Sequence, residues 1–381
     1  MRSIVYIPGL DPAGSGRYYK ILCREAERHN KVASSRISID PAATTGVVGT
    51  TWRITQTTSA GEKSLQYFFL DWSDIVRRSF APGILRVLFE HIFSAGLLAR
   101  IFRRFNMKTG RPFALVCTYA ILVVALYISI GVAMSATLFV VVRPVAGDLP
   151  ALALSALLFW IIMKASLFLE PKLFAYFFLR TLNFSRRFAR PPPAPLRDRL
   201  SASAAQISRR LNSGEEVVIV GHSYGALLTS PLVECLLDTN PTAPQDFLDR
   251  LRVIHLGALH PLITLDPAEN WYKRSIDRMA ASGIRWIEVF SGYDALNFPG
   301  YDPRSNPRDG GTAPAFRDVN FFEYCNPSIF SPRRYRIFRN HFRYLMARDR
   351  CCQYDYFDYL FADDIDAYWN PPPEPASGVR S

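Results

Sequence analysis

Between Arg111 and Arg143 the chain carries no charged side chain, and from Leu149 to Leu169 its sole charge is Lys164. At about 1.5 Å rise per helical residue, each stretch is long enough to cross a hydrocarbon core about 30 Å thick. Such runs restrict the fold more than any other feature here, because two apolar helices of this length must be sheathed either by protein or by lipid. The short Arg143-Pro144-Val145-Ala146-Gly147-Asp148 link between them favours an antiparallel hairpin. Lys164 falls toward the end of the second run, where its stem can lie along apolar surroundings while the ammonium reaches headgroups. Two buried helices of a soluble domain are the alternative, disfavoured by span length and by the basic flanks.

Those flanks set an expected orientation. Arg100, Arg103, Arg104, Lys108 and Arg111 precede the first run, and Lys172, Arg180, Arg186, Arg187 and Arg190 follow the second. The tendency of Lys and Arg to stay on the cytoplasmic side places both flanks there and the link opposite. A two-pass protein of a bacterial-type inner membrane is expected, with the main body and both termini cytoplasmic and membrane lipids as partners. The net charge of +12 gathers beside apolar runs and accompanies no nucleic-acid-binding motif, so nucleic acid is not an expected partner. The six cysteines are scattered, which suits a reducing compartment, and no cleavable leader is expected, since Met1 runs almost at once into the strand-like Ile4-Val5-Tyr6-Ile7.

Outside the hairpin the pattern alternates. Ile4 to Ile7, Ser35 to Asp40, Trp52 to Gln56, Tyr67 to Leu70, Glu216 to Val220, Leu251 to Leu256 and Arg285 to Phe290 read as strands. Tyr18 to His29, Arg199 to Leu211 and Ala226 to Leu237 read as helices. Residues 1–76 and 196–350 are expected to form two parts of one α/β core. Between them lie an amphipathic pre-hairpin segment (77–111), the transmembrane hairpin (112–170) and a basic, proline-rich connector (171–195). An aromatic and acidic segment (351–370) and a mobile tail (371–381) complete the chain, and 298–316 reads as a long loop.

Gly221-His222-Ser223-Tyr224-Gly225 sits where the Glu216 to Val220 strand gives way to the following helix. A serine between small residues at such an abrupt turn is exposed for nucleophilic attack, and the glycines relieve crowding. With this strand, elbow and helix assembled, the chain resembles the α/β-hydrolase superfamily. The resemblance implies a mostly parallel α/β-hydrolase-like sheet carrying the two-helix transmembrane hairpin as an insertion. It also implies a serine hydrolase cleaving an ester or thioester, lipase-like in its access to amphiphilic esters or other acyl substrates.

The family's chain order of nucleophile, acid and histidine makes Ser223 the nucleophile, Asp294 the acid and His341 the base. Asp294 lies just beyond the strong Arg285 to Phe290 strand, which favours it over Asp266 and Asp302. His222, inside the elbow, is expected to shape the pocket. Backbone amides of Tyr224 and Leu10 are the expected oxyanion donors, with Asp11 unfavourable there unless turned away. Each residue also has a bland role: Ser223 as a helix cap, Asp294 as a turn aspartate, His341 as a polar residue at a helix start.

No cofactor or metal is expected. Gly14-Ser15-Gly16 lacks the nucleotide-loop pattern, and His29, His91, His255 and His260 show no metal-ligand spacing with cysteines. Acyl transfer through the same nucleophile and a noncatalytic, lipid-binding membrane scaffold stand as alternatives.

Overall fold

The structure, a computed structural model, describes residues 1–41, 43–46, 48–80, 94–188, 191–266, 271–307, 310–321, 337–349 and 354–369. Its centre is a nine-stranded sheet. The strands are β1 (Arg2–Ile7), β2 (Arg36–Ile39), β3 (Thr44–Gly46), β4 (Gly49–Thr58), β5 (Gly61–Leu70), β6 (Glu216–His222), β7 (Leu251–Leu256), β8 (Arg285–Phe290) and β9 (Ala315–Asp318). They lie in the order β2-β4-β5-β1-β6-β7-β8-β9, with β3 paired to β4.

The sheet is mixed, which qualifies the expectation of a mostly parallel one. Pairings from β5 through β9 are parallel, whereas β4 runs antiparallel to β2, β3 and β5. A tight turn makes the difference: Thr58 Oγ1 accepts from the Ala60 amide and donates to the Gly61 carbonyl, folding β4 directly back onto β5.

Side-chain alternation divides the core. Val217 and Ile219 of β6 face one side, and Val218 and Val220 face the other. The second side is covered by α1 (Ser15–Val32) and the C-terminal residues. The first receives α2 (Ser73–Phe80), α3 (Ser94–Arg104) and the base of α4 (Arg111–Ala146). After α5 (Asp148–Ser166), the same side receives α6 (Ala175–Phe188), α7 (Ala194–Asn212), α8 (Ala226–Thr239) and α9 (Trp271–Ala281).

Helices α4 and α5 form the expected hairpin, each within a segment long and apolar enough to cross a membrane. They meet closely at Gly131, where an added Cβ would stand 2.9 Å from the Phe159 ring. Helix α4 continues through Pro144 to Ala146, into the expected link, and Gly147 at φ +80° makes the turn, braced by the Arg143–Asp148 ion pair at 2.6 Å. Lys164 is exposed, its ammonium over the Trp160 ring. The lower part of α4 is protein-packed through Phe113, Ala114, Cys117, Ala120 and Val124. Above it, Val132, Met134, Val140, Val141 and Val145 project outward, opposite Leu149, Leu152, Leu157 and Trp160 of α5.

Three segments differ from their sequence reading. The expected connector 171–195 contains α6, whose buried Tyr176, Phe178, Leu179 and Leu182 recur at helical spacing. The expected loop 298–316 ends in β9, a short edge strand whose Ala315 pairs with Ile287. Residues 354–369, whose apolar positions suit one terminal helix, form two short ones instead, α10 (Tyr356–Phe361) and α11 (Ile365–Trp369). Leu85, Leu88, Phe89 and Ile92 of the pre-hairpin segment, and the tail 371–381, lie outside the described residues.

Candidate active site

The elbow is held by close backbone approach. Ser223 has φ +58°, a left-handed conformation that a non-glycine residue adopts only when its surroundings enforce it. Here those surroundings are the neighbouring glycines. A Cβ on Gly225 would stand 2.0 Å from the Ile7 carbonyl oxygen, and one on Gly221 would stand 2.5 Å from Ala226 Cα. Gly9 is the third close neighbour, its virtual Cβ 3.2 Å from Ser223 Oγ. The Pro8-Gly9-Leu10 turn after β1 therefore lies directly against the serine.

Tyr224 points the opposite way, fully buried, with ring centroids 5.1 Å from Phe184, 5.8 Å from Phe188 and 6.3 Å from Trp72. Trp72 in turn donates through Nε1 to the Pro8 carbonyl at 2.9 Å. Helix α6, returning from the hairpin, is thus packed onto the back of the elbow.

The structure brings Asp294 and His341 together across 47 residues. His341 Nδ1 lies 2.7 Å from Asp294 Oδ2, with both side chains buried. Asp294 follows β8, and its other oxygen accepts the Leu296 amide at 2.8 Å. Tyr344 donates its hydroxyl to Asp294 Oδ2 at 3.1 Å and receives Asn297 Nδ2 at 2.7 Å. With three donors fixed around it, the carboxylate holds the imidazole as the Nδ1–H tautomer, leaving Nε2 as the proton acceptor. Nε2 is buried and has no hydrogen-bond partner among the described residues. His341 and Ser223 line the same cleft, about 440 Å³ in volume, together with Leu10 and Tyr224.

His222 lies beside this dyad, its ring centroid 5.0 Å from that of His341. Its Nε2–H donates to the His341 carbonyl at 2.9 Å, pinning the backbone at the end of the short helix Ile337–His341. Burial, reinforced by the neighbouring His341, lowers its pKa to about 3, so it is neutral around pH 7.

The Leu10 amide makes no hydrogen bond to another described residue. Asp11, the carboxylate closest to it in sequence, also lines the cleft; its Oδ1 accepts the Ala13 amide at 2.9 Å, and its Oδ2 pairs with Arg17 at 3.0 Å. Asp266 and Asp302 do not join the dyad; Asp302 pairs with Arg304 at 2.7 Å.

A second polar cluster lies in the core. Parallel register sets His255 of β7 beside Glu288 of β8. Glu288 Oε1 accepts from His255 Nδ1 at 2.6 Å and from His260 Nε2 at 3.0 Å. Thr229 of α8 engages the remaining nitrogen of His255, and the Tyr272 hydroxyl engages that of His260 at 2.6 Å. The three acidic and imidazole groups are close enough to share a metal ion, as are His29, Asp355 and Asp358. Every ring nitrogen of His255 and His260 nonetheless has a protein partner, so the cluster is satisfied as a hydrogen-bond network that ties the helix after the elbow to β7 and β8.

Burial alone would raise the Glu288 pKa, but the two histidines reverse it and hold the carboxyl at about 2. A depressed carboxyl contributes stability that is present above its unfolded value, about 4.3, and is lost as pH falls toward 2. Glu288→Gln is expected to cost about 3 kcal/mol at pH 7. Denaturation of the two proteins in the same detergent should show that difference at pH 6 and a smaller one as pH drops below 4.

The sequence reading missed Tyr344 and Asn297. Each lies three residues beyond a member of the dyad, Tyr344 after His341 and Asn297 after Asp294, and that spacing was the available signal. Compared with known protein families, with curated proteins and with solved structures, the chain matched none.

Proposed function

We propose that this protein is a membrane-anchored serine hydrolase of α/β-hydrolase type that cleaves an ester or thioester. One observation carries the reading: a buried Asp294–His341 pair leaves Nε2 without a partner among the described residues, in the cleft that contains Ser223, itself held at positive φ between a strand and a helix. The order Ser223, Asp294, His341 along the chain agrees with that fold family.

The chemistry follows from these positions. As Ser223 Oγ attacks the acyl carbonyl, His341 Nε2 takes its proton, and Asp294 stabilises the resulting imidazolium. The same proton passes to the leaving alcohol or thiol. Water, deprotonated by His341, then releases the acyl group. Amides of Leu10 and Tyr224 receive the developing oxyanion, each contributing about 3 kcal/mol to the transition state.

The hairpin supports a membrane placement. Helix α4 is about 54 Å long, and only its last 22 residues or so, about 33 Å, extend beyond the packed base ending at Val124. Phe113 at that base lines the cleft. The catalytic body thus rests at the cytoplasmic face of an inner membrane, with the cleft near the lipid boundary and the Gly147 turn on the far side.

Turnover tests the reading. Purified in a neutral detergent, the protein is expected to hydrolyse p-nitrophenyl butyrate, and Asp294→Asn to lower kcat about 10³-fold with little change in KM. A folded Asp294→Asn protein with unchanged kcat would remove the proton relay from the account.

A further inference from the structure

The cleft continues into a second cavity of a different character. This open groove, about 790 Å³, is lined by Arg17, Lys20, Arg24 and Arg339, and among its described lining residues there is no acidic side chain. Ala13, Arg17, Phe338 and Phe342 line both spaces. One continuous surface therefore runs from Ser223, past an aromatic threshold, to a concentration of positive charge.

The two halves have opposite chemistry. On the cleft side, Phe113, Phe177, Phe178, Leu259 and Leu296 present apolar walls. On the groove side, Lys20 and Arg24 lie on successive turns of α1 and are exposed, Arg24 also pairing through Nε with the buried Glu25 at 2.9 Å. Arg17 bridges the two, pairing with buried Asp11 at 3.0 Å and lying over the Phe342 ring. The first turn of α1, which supplies Gly16 and Arg17, has no acidic residue, so the positive end of an 18-residue helix adds to the field. Low-dielectric walls concentrate such a field into the groove.

Resting on the hydrolase reading above, we infer that the substrate is a phosphate-bearing acyl ester or thioester: the acyl chain occupies the apolar cleft and the phosphate, on the leaving group, occupies the Arg17–Lys20–Arg24–Arg339 groove. The acyl carbon–oxygen or carbon–sulfur bond breaks as the Ser223 ester forms. The leaving alcohol or thiol takes the proton from His341 and departs with its phosphate. Water then supplies the hydroxyl of the released acid and returns a proton to Ser223. A lysophospholipid at the membrane surface and a soluble phosphopantetheine-type thioester share this chemistry.

The test uses the full chain in neutral detergent with three octanoyl substrates: 1-octanoylglycerol, 1-octanoylglycerol 3-phosphate and octanoyl-coenzyme A. Here kcat/KM is expected to be about tenfold higher for at least one phosphate-bearing substrate than for the neutral ester. Lys20→Gln/Arg24→Gln and 0.5 M salt should each shrink that ratio severalfold, as screened charge requires. Preference for the glycerol phosphate identifies a lipid source, and preference for the thioester a soluble one. Turnover of all three at equal kcat/KM would overturn the inference and leave the hydrolase intact. Absence of turnover and of serine-directed phosphonate labelling would overturn both.

Discussion

Ser223→Ala is expected to lower ester turnover by roughly 10⁴- to 10⁶-fold while leaving the fold and detergent-extraction behaviour unchanged. The size of the effect follows from what the hydroxyl alone does. On the proposed mechanism, removing it abolishes the acyl-enzyme route and leaves His341 with nothing to deprotonate but water, although the cleft and the proposed oxyanion donors persist. The substitution is benign structurally, because Ser223 is only partly buried and its side chain makes no hydrogen bond to another described residue. Alanine carries the same positive-φ strain as serine, so the elbow geometry is retained. Initial rates with p-nitrophenyl butyrate, compared at equal protein and detergent, measure the loss. Residual activity within tenfold of wild type would show that another group performs the attack.

Gly225→Ala is expected to act through the fold and to cost at least about 3 kcal/mol. The added Cβ would meet the Ile7 and Pro8 carbonyl oxygens at 2.0 and 2.6 Å. These are backbone atoms at the end of β1, which is hydrogen-bonded between β5 and β6, so no side-chain rotation relieves the clash. Either β1 shifts from its neighbours or the elbow moves away from the Gly9 turn. Both outcomes displace Leu10 from Ser223, so activity should fall along with stability. A thermal midpoint about 6 °C lower or more is expected. Gly292→Ala is the control: its virtual Cβ meets nothing within 4 Å, and its midpoint should match the wild type.

The parts of this site that were readable from sequence are those set by local pattern. Ser223 announced itself through the glycines around it and the apolar strand before it. Asp294 and His341 followed from chain order and from the strength of β8. The supporting residues were hidden because their roles arise only in three dimensions. Spacing alone does not show that Asn297 steadies the Tyr344 hydroxyl on Asp294, or that register puts His255 beside Glu288. The hairpin was legible because length and polarity decide it, whereas α6 was obscured by its arginines and the nearby prolines. Likewise, the groove depends on α1 and the Phe338 to Phe342 segment lying side by side, an arrangement no linear spacing records.

Covalent labelling addresses the central claim most directly. Intact-protein mass spectrometry after treatment with a fluorophosphonate should show one adduct, mapped to Ser223 by peptide fragmentation, that forms rapidly in wild type, slows at least a hundredfold in His341→Ala and is absent from Ser223→Ala. A folded, membrane-extracted protein that gains no adduct, or gains it at the same rate without His341, would contradict the account.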